Sequence, residues 1–249
     1  LDVQGKEIVQ ASIQGWARLG LGRVQRHKHG APNLFQLLPL GKQVVDLYST
    51  NRELFYDVFH FLLYSAWRRS RDLAQASFWL YAEVCDRLWI DAPGKMDSFF
   101  LTAQLQTDSR AAFPDHSPAF AERSVRSVFP WLQTLTPSFL SKCGTRSDLC
   151  SERRAYCTPQ LFHLATDLLY TVQGLAYGTS LTMDDDKIAA VCRVCLLRPD
   201  RFWEMASLAD MAMPEFSLRQ GQWGTALALS GPPRWIELPA LGAAAEENE

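Results

Sequence analysis

The chain has 249 residues, 47% of them hydrophobic and 21% charged, with a formal net charge of −2. That length supplies one large core or two small ones, and the composition excludes a disordered polymer. The near-neutral balance excludes a strong overall attraction to nucleic acid and leaves only local patches. Nineteen of the 25 basic residues are Arg. The planar guanidinium fork suits phosphates and carboxylates, although an Arg-favouring codon bias explains the count equally well. No apolar run reaches the roughly 18 residues that span a bilayer, so no membrane contact is expected. No charged segment leads into an apolar stretch, so no signal peptide is expected either. Six cysteines without a secreted-framework spacing point to a reducing, cytoplasmic setting.

Residues 5–19 read as an amphipathic helix, with Ile8, Trp16 and Leu19 near one face and Gly20 and Gly22 ending it. Between Glu7 and Asp46 there is no acidic residue, while Arg18, Arg23, Arg26, Lys28 and Lys42 fall inside. His27 and His29 add charge there below neutrality. Gly30 and Pro32 mark a turn. Leu34–Leu38 reads as a strand and Leu40–Tyr48 as a short helix. This order has the texture of part of a winged helix, or of linkers within a helical domain.

Two long helical patterns follow, the first with Asn51 as N-cap and Glu53 in its first turn. Leu54, Val58, Phe61 and Leu62 recur at helical spacing, and Phe55, Phe59 and Leu63 fill an adjacent face, so this helix is expected to be buried on several sides. The basic cluster at 68–71 marks a helix end, and Asp72–Trp89 forms the second arm, closed by Pro93-Gly94. Asp97–Phe113 reads as another helix. Ser117-Pro118 predicts a further start, with a helix to about Phe129 that Pro130 kinks or ends. Residues 136–158 are loop-rich. Thr158-Pro159 repeats the start signal for a helix ending near Gly178; Asp184–Leu197 and a helix opened by Pro199-Asp200 come next. Ser217–Leu229, the Gly231-Pro232-Pro233 turn and an alternating RWIELPAL run suggest a second winged-helix-like element or a two-stranded cap. The expected class is mainly α, a multi-helix bundle with small winged-helix-like strand elements near the N- and C-terminal parts. Pro93-Gly94 divides it into 1–92 and 93–242, with the loop at 136–158 as the other candidate boundary; a disordered acidic tail covers 243–249.

The most specific chemical pattern lies in the cysteines. Cys143, Cys150 and Cys157 are each separated by six residues, and Cys192-x-x-Cys195 follows at one-face helical spacing. Cys143, Cys150, Cys157 and Cys195 form the candidate zinc or iron–sulfur ligand set, against the reading that free cysteines fill cores. Asp184–Asp186 suits a helix N-terminus without any magnesium. His60 and His163 read as core histidines. No G-x-S-x-G, P-loop, dinucleotide or H-E-x-x-H pattern occurs, so no catalytic residue is assigned and nothing argues for an enzyme. The candidate nucleic-acid contacts are Arg18, Arg23, Arg26 and Lys28, extended by Arg68, Arg69 and Arg71; a solvated loop or a protein contact explains the same residues.

The run LLPLGKQVVDLYSTNRELFYDVFHFLLYSAW, followed by ASFWLYAEV, resembles a segment of an uncharacterised prokaryotic family of DNA-phosphorothioation and phage-defence islands. Pro39, Leu40, Gly41, Phe59, His60 and Trp67 stand where that family has its T-P-L-G turn and its aromatic helix ending near His and Trp. The family's N-terminal His-Glu-x-Phe and Arg-x-x-Trp-Leu motifs have no counterpart. The resemblance implies an accessory or DNA-recognising role in a defence system. The leading expectation is therefore a non-catalytic DNA-binding or adaptor subunit, with other protein subunits and nucleic acid as partners and no cofactor. A protein–protein scaffold is the alternative, and a zinc- or iron–sulfur-containing enzyme subunit the third reading.

Overall fold

A computed structural model describes residues 14–25, 34–69, 76–115, 117–144, 148–221 and 224–238. Among these are nine α-helices and three small antiparallel sheets, a mainly α protein with minor strand elements. No described helix is long and apolar enough to cross a membrane. The chain divides into two compact units, 1–55 with 234–249, and 56–233. Pro93-Gly94, where the sequence suggests a boundary, lies inside the second unit, with Gly94 and Lys95 paired into a sheet.

In the first unit a helical turn at 14–18 leads into β1 (Gly22–Gln25), which pairs antiparallel with β2 (Leu34–Leu37). The remainder of the expected 5–19 helix lies outside the described residues. Trp16 meets Phe35 edge-on at 6.0 Å. The P-L-G signal opens α1 (Pro39–Thr50), with Pro39 at a first-turn position where the missing N–H costs nothing. Leu40 and Val44 turn inward with Leu19 and Leu21. Gly41 is fixed by close approach: a Cβ there would stand 1.8 Å from the Leu21 carbonyl oxygen. That same oxygen accepts from the Leu38 N–H at 3.1 Å. Asn51 then caps α2 (Arg52–Arg69), its Oδ1 accepting from the Leu54 N–H at 3.0 Å, as its residue type predicts. The expected strand at RWIELPAL does not form over 234–238. That segment instead buries Ile236 and donates its Glu237 N–H to Gln43 Oε1 at 3.0 Å.

In the second unit α2 continues beside α3 (Ala76–Asp91), whose Phe78, Trp79, Tyr81, Val84, Leu88 and Trp89 are buried. Arg87 ties α3 to α4 (Ser98–Ala112) through Asp108 at 2.7 Å. Asp97 caps α4, accepting from the Phe99 and Phe100 N–H groups. The helix expected from Ser117-Pro118 does not form. Residues 117–121 belong to no helix or strand, and two short helices follow, α5 (Glu122–Arg126) and α6 (Phe129–Thr134), with Pro130 in the first turn of α6. Tertiary contacts outweigh the local signal here: Gln106 donates to the Phe120 carbonyl at 2.8 Å, and Phe120 stacks on Trp79 at 5.5 Å.

The 136–158 stretch contains β4 (Leu140–Lys142) and β5 (Leu149–Ser151). With β3 (Gly94–Lys95) they form a sheet in the order β3-β5-β4. Arg153, just past β5, closes the end of α3 by donating to the Trp89 carbonyl at 2.8 Å and the Ile90 carbonyl at 3.1 Å, its guanidinium 4.8 Å from the Trp89 ring. Thr158 caps α7 (Pro159–Val172) as its sequence signal predicts. Then come β6 (Ser180–Thr182), α8 (Asp185–Cys195), a 3-10 turn at Pro199–Arg201, α9 (Phe202–Ala212), β7 (Phe216–Gly221) and β8 (Gly224–Leu229). The last sheet runs β6-β8-β7, with Leu181 opposite Leu227 and Leu218 opposite Leu227 on the other side.

Candidate functional site

The basic residues singled out in the sequence are distributed over both units. Arg18 ends the helical turn and is exposed. Arg23 is exposed on β1, its Nε donating to Gln36 Oε1 at 2.9 Å across the hairpin. Arg26, Lys28 and Arg71 lie outside the described residues, as does the side chain of Arg69. Arg68 belongs to the second unit and is engaged. Its Nη2 reaches Asp86 Oδ2 and Tyr64 Oη, both at 2.9 Å, and its guanidinium lies 5.0 Å from the Tyr64 ring centre. Burial pushes the Asp86 carboxyl up, against the pull of Arg68 and of the Tyr64 hydroxyl that donates to it.

The four cysteines of the expected ligand set are not brought together as ligands. Cys143 and Cys150 are joined to each other in a disulfide, their Cα atoms 5.7 Å apart. The hairpin register explains the pairing: β4 and β5 run antiparallel, so a gap of six residues folds back on itself instead of wrapping an ion. Cys157 and Cys195 are buried free thiols, as are Cys85 and Cys192. Burial raises the Cys85, Cys192 and Cys195 thiols, which keeps them protonated and weakly nucleophilic. Among the described residues no group of three or more His, Cys, Asp or Glu side chains could hold a metal ion. Asp184 caps α8, accepting from the Lys187 N–H at 2.9 Å, and its carboxylate also pairs with the Lys187 ammonium; Asp185 and Asp186 stand in the first turn, where the helix dipole favours them.

The strongest polar constellation was not anticipated. Asp57, on the inner face of α2, and Arg154, beyond β5, form an ion pair at 2.9 Å with neither side chain exposed. Asp57 Oδ2 accepts from the Thr158 N–H at 2.8 Å and the Thr158 hydroxyl at 2.9 Å. Arg154 Nη2 donates to the Thr136 carbonyl at 2.6 Å, and Nη1 to the Cys195 carbonyl at 3.4 Å. Burial disfavours the Arg154 cation, and Asp57 together with Cys157 and Cys195 outweighs it, so its pKa is raised.

His60, one turn along from Asp57, donates Nε2–H to the Val194 carbonyl at 2.8 Å, which leaves Nδ1 to accept from the Tyr81 hydroxyl at 2.9 Å. Burial lowers its pKa to about 4, so it is neutral near pH 7. His163 is equally buried, and neither ring nitrogen has a hydrogen-bond partner; burial again lowers its pKa to about 4, with Glu215 opposing. These groups join α2, α3, α7, α8 and the segment after β5. They hold these elements together. One signal for Asp57 stands in the sequence: it falls on the same stripe as Leu54, Val58 and Phe61. Nothing local marks Arg154 as its partner.

The solvent-facing candidate is α9. Phe202, Met205, Ala206 and Ala209 face inward; Trp203, Glu204, Ser207, Asp210 and Met211 face out, with Met211 76% exposed. The helix contains no Lys or Arg. Its acids are held locally, Glu204 by Arg201 at 2.6 Å and Asp210 by the Leu218 N–H at 3.0 Å. Arg219, on the neighbouring β7, donates to Ser180 Oγ at 3.1 Å. A face that sets two large apolar side chains beside two acids suits contact with protein, and α9 itself offers phosphate no cation. No family model, curated protein or solved structure matches the chain.

Proposed function

We propose that the chain is a non-catalytic adaptor subunit of a multi-protein assembly, in which residues 159–229 form a winged-helix module that contacts protein. Support for the module comes from element order. Helix, strand, helix, helix and a two-stranded hairpin follow one another as α7, β6, α8, α9, β7 and β8, and the sheet runs β6-β8-β7. That is the order of a winged helix, in which the third helix is the one offered to DNA. Here the third helix is α9, and the observation that carries the reading is its composition. FWEMASLADMA has two acids, no cation, and an outward Trp203 and Met211. Nucleic-acid affinity comes largely from cations replacing counterions on phosphate, and this helix supplies none. The resemblance of the Leu37–Trp67 segment adds that the assembly is of the prokaryotic defence type.

The test uses partners encoded beside the gene, co-expressed with the full chain. Trp203→Ala combined with Met211→Glu should abolish co-purification, while Arg23→Glu should leave it intact. Fluorescence anisotropy with a labelled DNA duplex in low and moderate salt should show no binding attributable to α9. A salt-sensitive affinity lost on Arg18→Glu and Arg23→Glu, with partner binding unaffected by the α9 variant, would overturn the adaptor reading in favour of DNA binding through the first unit.

A further inference from the structure

The cysteines fall into two chemical classes. Cys85, Cys157, Cys192 and Cys195 are free thiols in the core with no measurable exposure. Cys143 and Cys150 are half-buried and bonded to each other at the loop end of the β4–β5 hairpin. Thiol–disulfide exchange requires an in-line approach to sulfur, so accessibility alone restricts the chemistry to this pair.

The surroundings of the pair are asymmetric. Cys150 lies on the central strand, directly opposite Ser141 of β4 on one side and Lys95 of β3 on the other. Residues directly opposite in an antiparallel ladder share a face, so Lys95 and Cys150 project to the same side. The Lys95 ammonium is 66% exposed and is held beside Asp148 Oδ2 at 2.9 Å. Cys143 lies just past the end of β4, with its backbone N–H bonded to the Asp148 carbonyl at 2.9 Å and no cation opposite it in the ladder. A thiolate leaves faster when a nearby cation lowers its pKa, which favours departure of Cys150 and attack on Cys143.

We propose that Cys143–Cys150 is a thiol–disulfide exchange site that accepts electrons from a dithiol reductant, with Lys95 positioned to assist the departing thiolate. One thiolate of the dithiol attacks Cys143 Sγ. The Cys143–Cys150 S–S bond breaks, and Cys150 leaves as a thiolate that then takes up a proton. The second thiol of the reductant, after losing its own proton, displaces Cys143 from the mixed disulfide. The protein gains two electrons and two protons, and the dithiol becomes its cyclic or intramolecular disulfide. The β4–β5 ladder is made of backbone hydrogen bonds that do not involve the sulfurs.

The experiment is differential alkylation of the full chain, with thiols blocked during lysis so that the redox state in the cell is preserved, followed by peptide mass mapping. Untreated protein should carry no label on Cys143 or Cys150. Native protein treated with dithiothreitol should be labelled at those two and spared at Cys85, Cys157, Cys192 and Cys195. Lys95→Gln should slow reduction by about threefold, the effect of about one pKa unit on the leaving thiol, without changing the thermal midpoint of the oxidised protein. Several outcomes overturn the proposal. Cys143 and Cys150 could stay unlinked even after treatment with oxidised glutathione. The core cysteines could label as fast as the hairpin pair. A Lys95→Gln variant reduced at the wild-type rate removes the role given to Lys95.

Discussion

Two pairs of opposite charges in the second unit are built from the same groups and differ in nearly everything else. Arg154 and Asp57 meet at 2.9 Å with no exposure on either side, while Arg198 and Asp200 meet at 2.7 Å with 48% and 58% of their side chains in water. The exposed pair is made by neighbours in sequence and is screened by solvent. The buried pair joins residues 97 positions apart, and each further lone pair or proton it carries must find a partner inside the protein. Asp57 meets part of that demand through Thr158, and Arg154 through Thr136 and Cys195, while Arg154 Nε is buried without a hydrogen-bond partner among the described residues. Distance between the charges therefore says little about their weight; what matters is what remains when one is removed.

The sharpest way to break the contrast is Asp57→Ala, which leaves Arg154 charged and unpaired in the core. A loss of about 3–5 kcal/mol is expected from urea denaturation. Replacing both members by Asp57→Leu and Arg154→Met should recover most of that loss, because no orphan charge remains. If the double variant is as unstable as the single one, the pair supplies something other than mutual satisfaction.

Acid titration addresses the neutral neighbours. His60 and His163 are held neutral until about pH 4, whereas in the unfolded chain they take up protons near pH 6.5. Between these values the unfolded state binds more protons, so stability falls as pH drops from about 6.5 to 4, by up to about 3 kcal/mol for each histidine. His163→Leu should flatten part of that acid limb when urea midpoints are followed against pH, and it should cost little at pH 7 because neither nitrogen is bonded.

Thr158 tests the connection between helix start and ion pair. Its hydroxyl caps α7 through the Leu161 N–H at 3.3 Å and donates to Asp57. Thr158→Ala should cost about 1–2 kcal/mol, with Thr158→Ser recovering most of it in the same denaturation assay. Arg198→Ala sits at the other extreme, and its urea midpoint should coincide with that of the wild type.

Legibility in the sequence follows the same division between near and far. Asn51, Asp97, Thr158 and Asp184 were readable because a cap is a local device, a short side chain bonded to a backbone N–H two or three residues on. Ser117-Pro118 carries the same kind of signal as Thr158-Pro159 and starts no helix, because Trp79 and Gln106, distant in sequence, engage Phe120 instead. The helical class was legible from periodicity alone. The β6-β8-β7 sheet was only half legible, since Ser180–Thr182 is too short and polar to announce a strand and is defined by its pairing with β8. Of the candidate site, the loop cysteines were visible as a group, but not that two would bond to each other and a third would be core. The outward face of α9 was passed over because its signal is a deficiency, the lack of any cation on a helix rich in apolar residues.

Gly41 has a consequence for the evolutionary record of this chain. Its place in α1 is occupied because the Leu21 carbonyl lies where any side chain would begin. Even alanine, the residue most at home in a helix, would have to displace backbone rather than a flexible side chain. In a saturation library selected for folded protein, this position should return glycine almost alone, and a homologue with another residue there should show a compensating shift around Leu21. A lineage can exchange the exposed Val45 on the same helix freely while position 41 stays fixed.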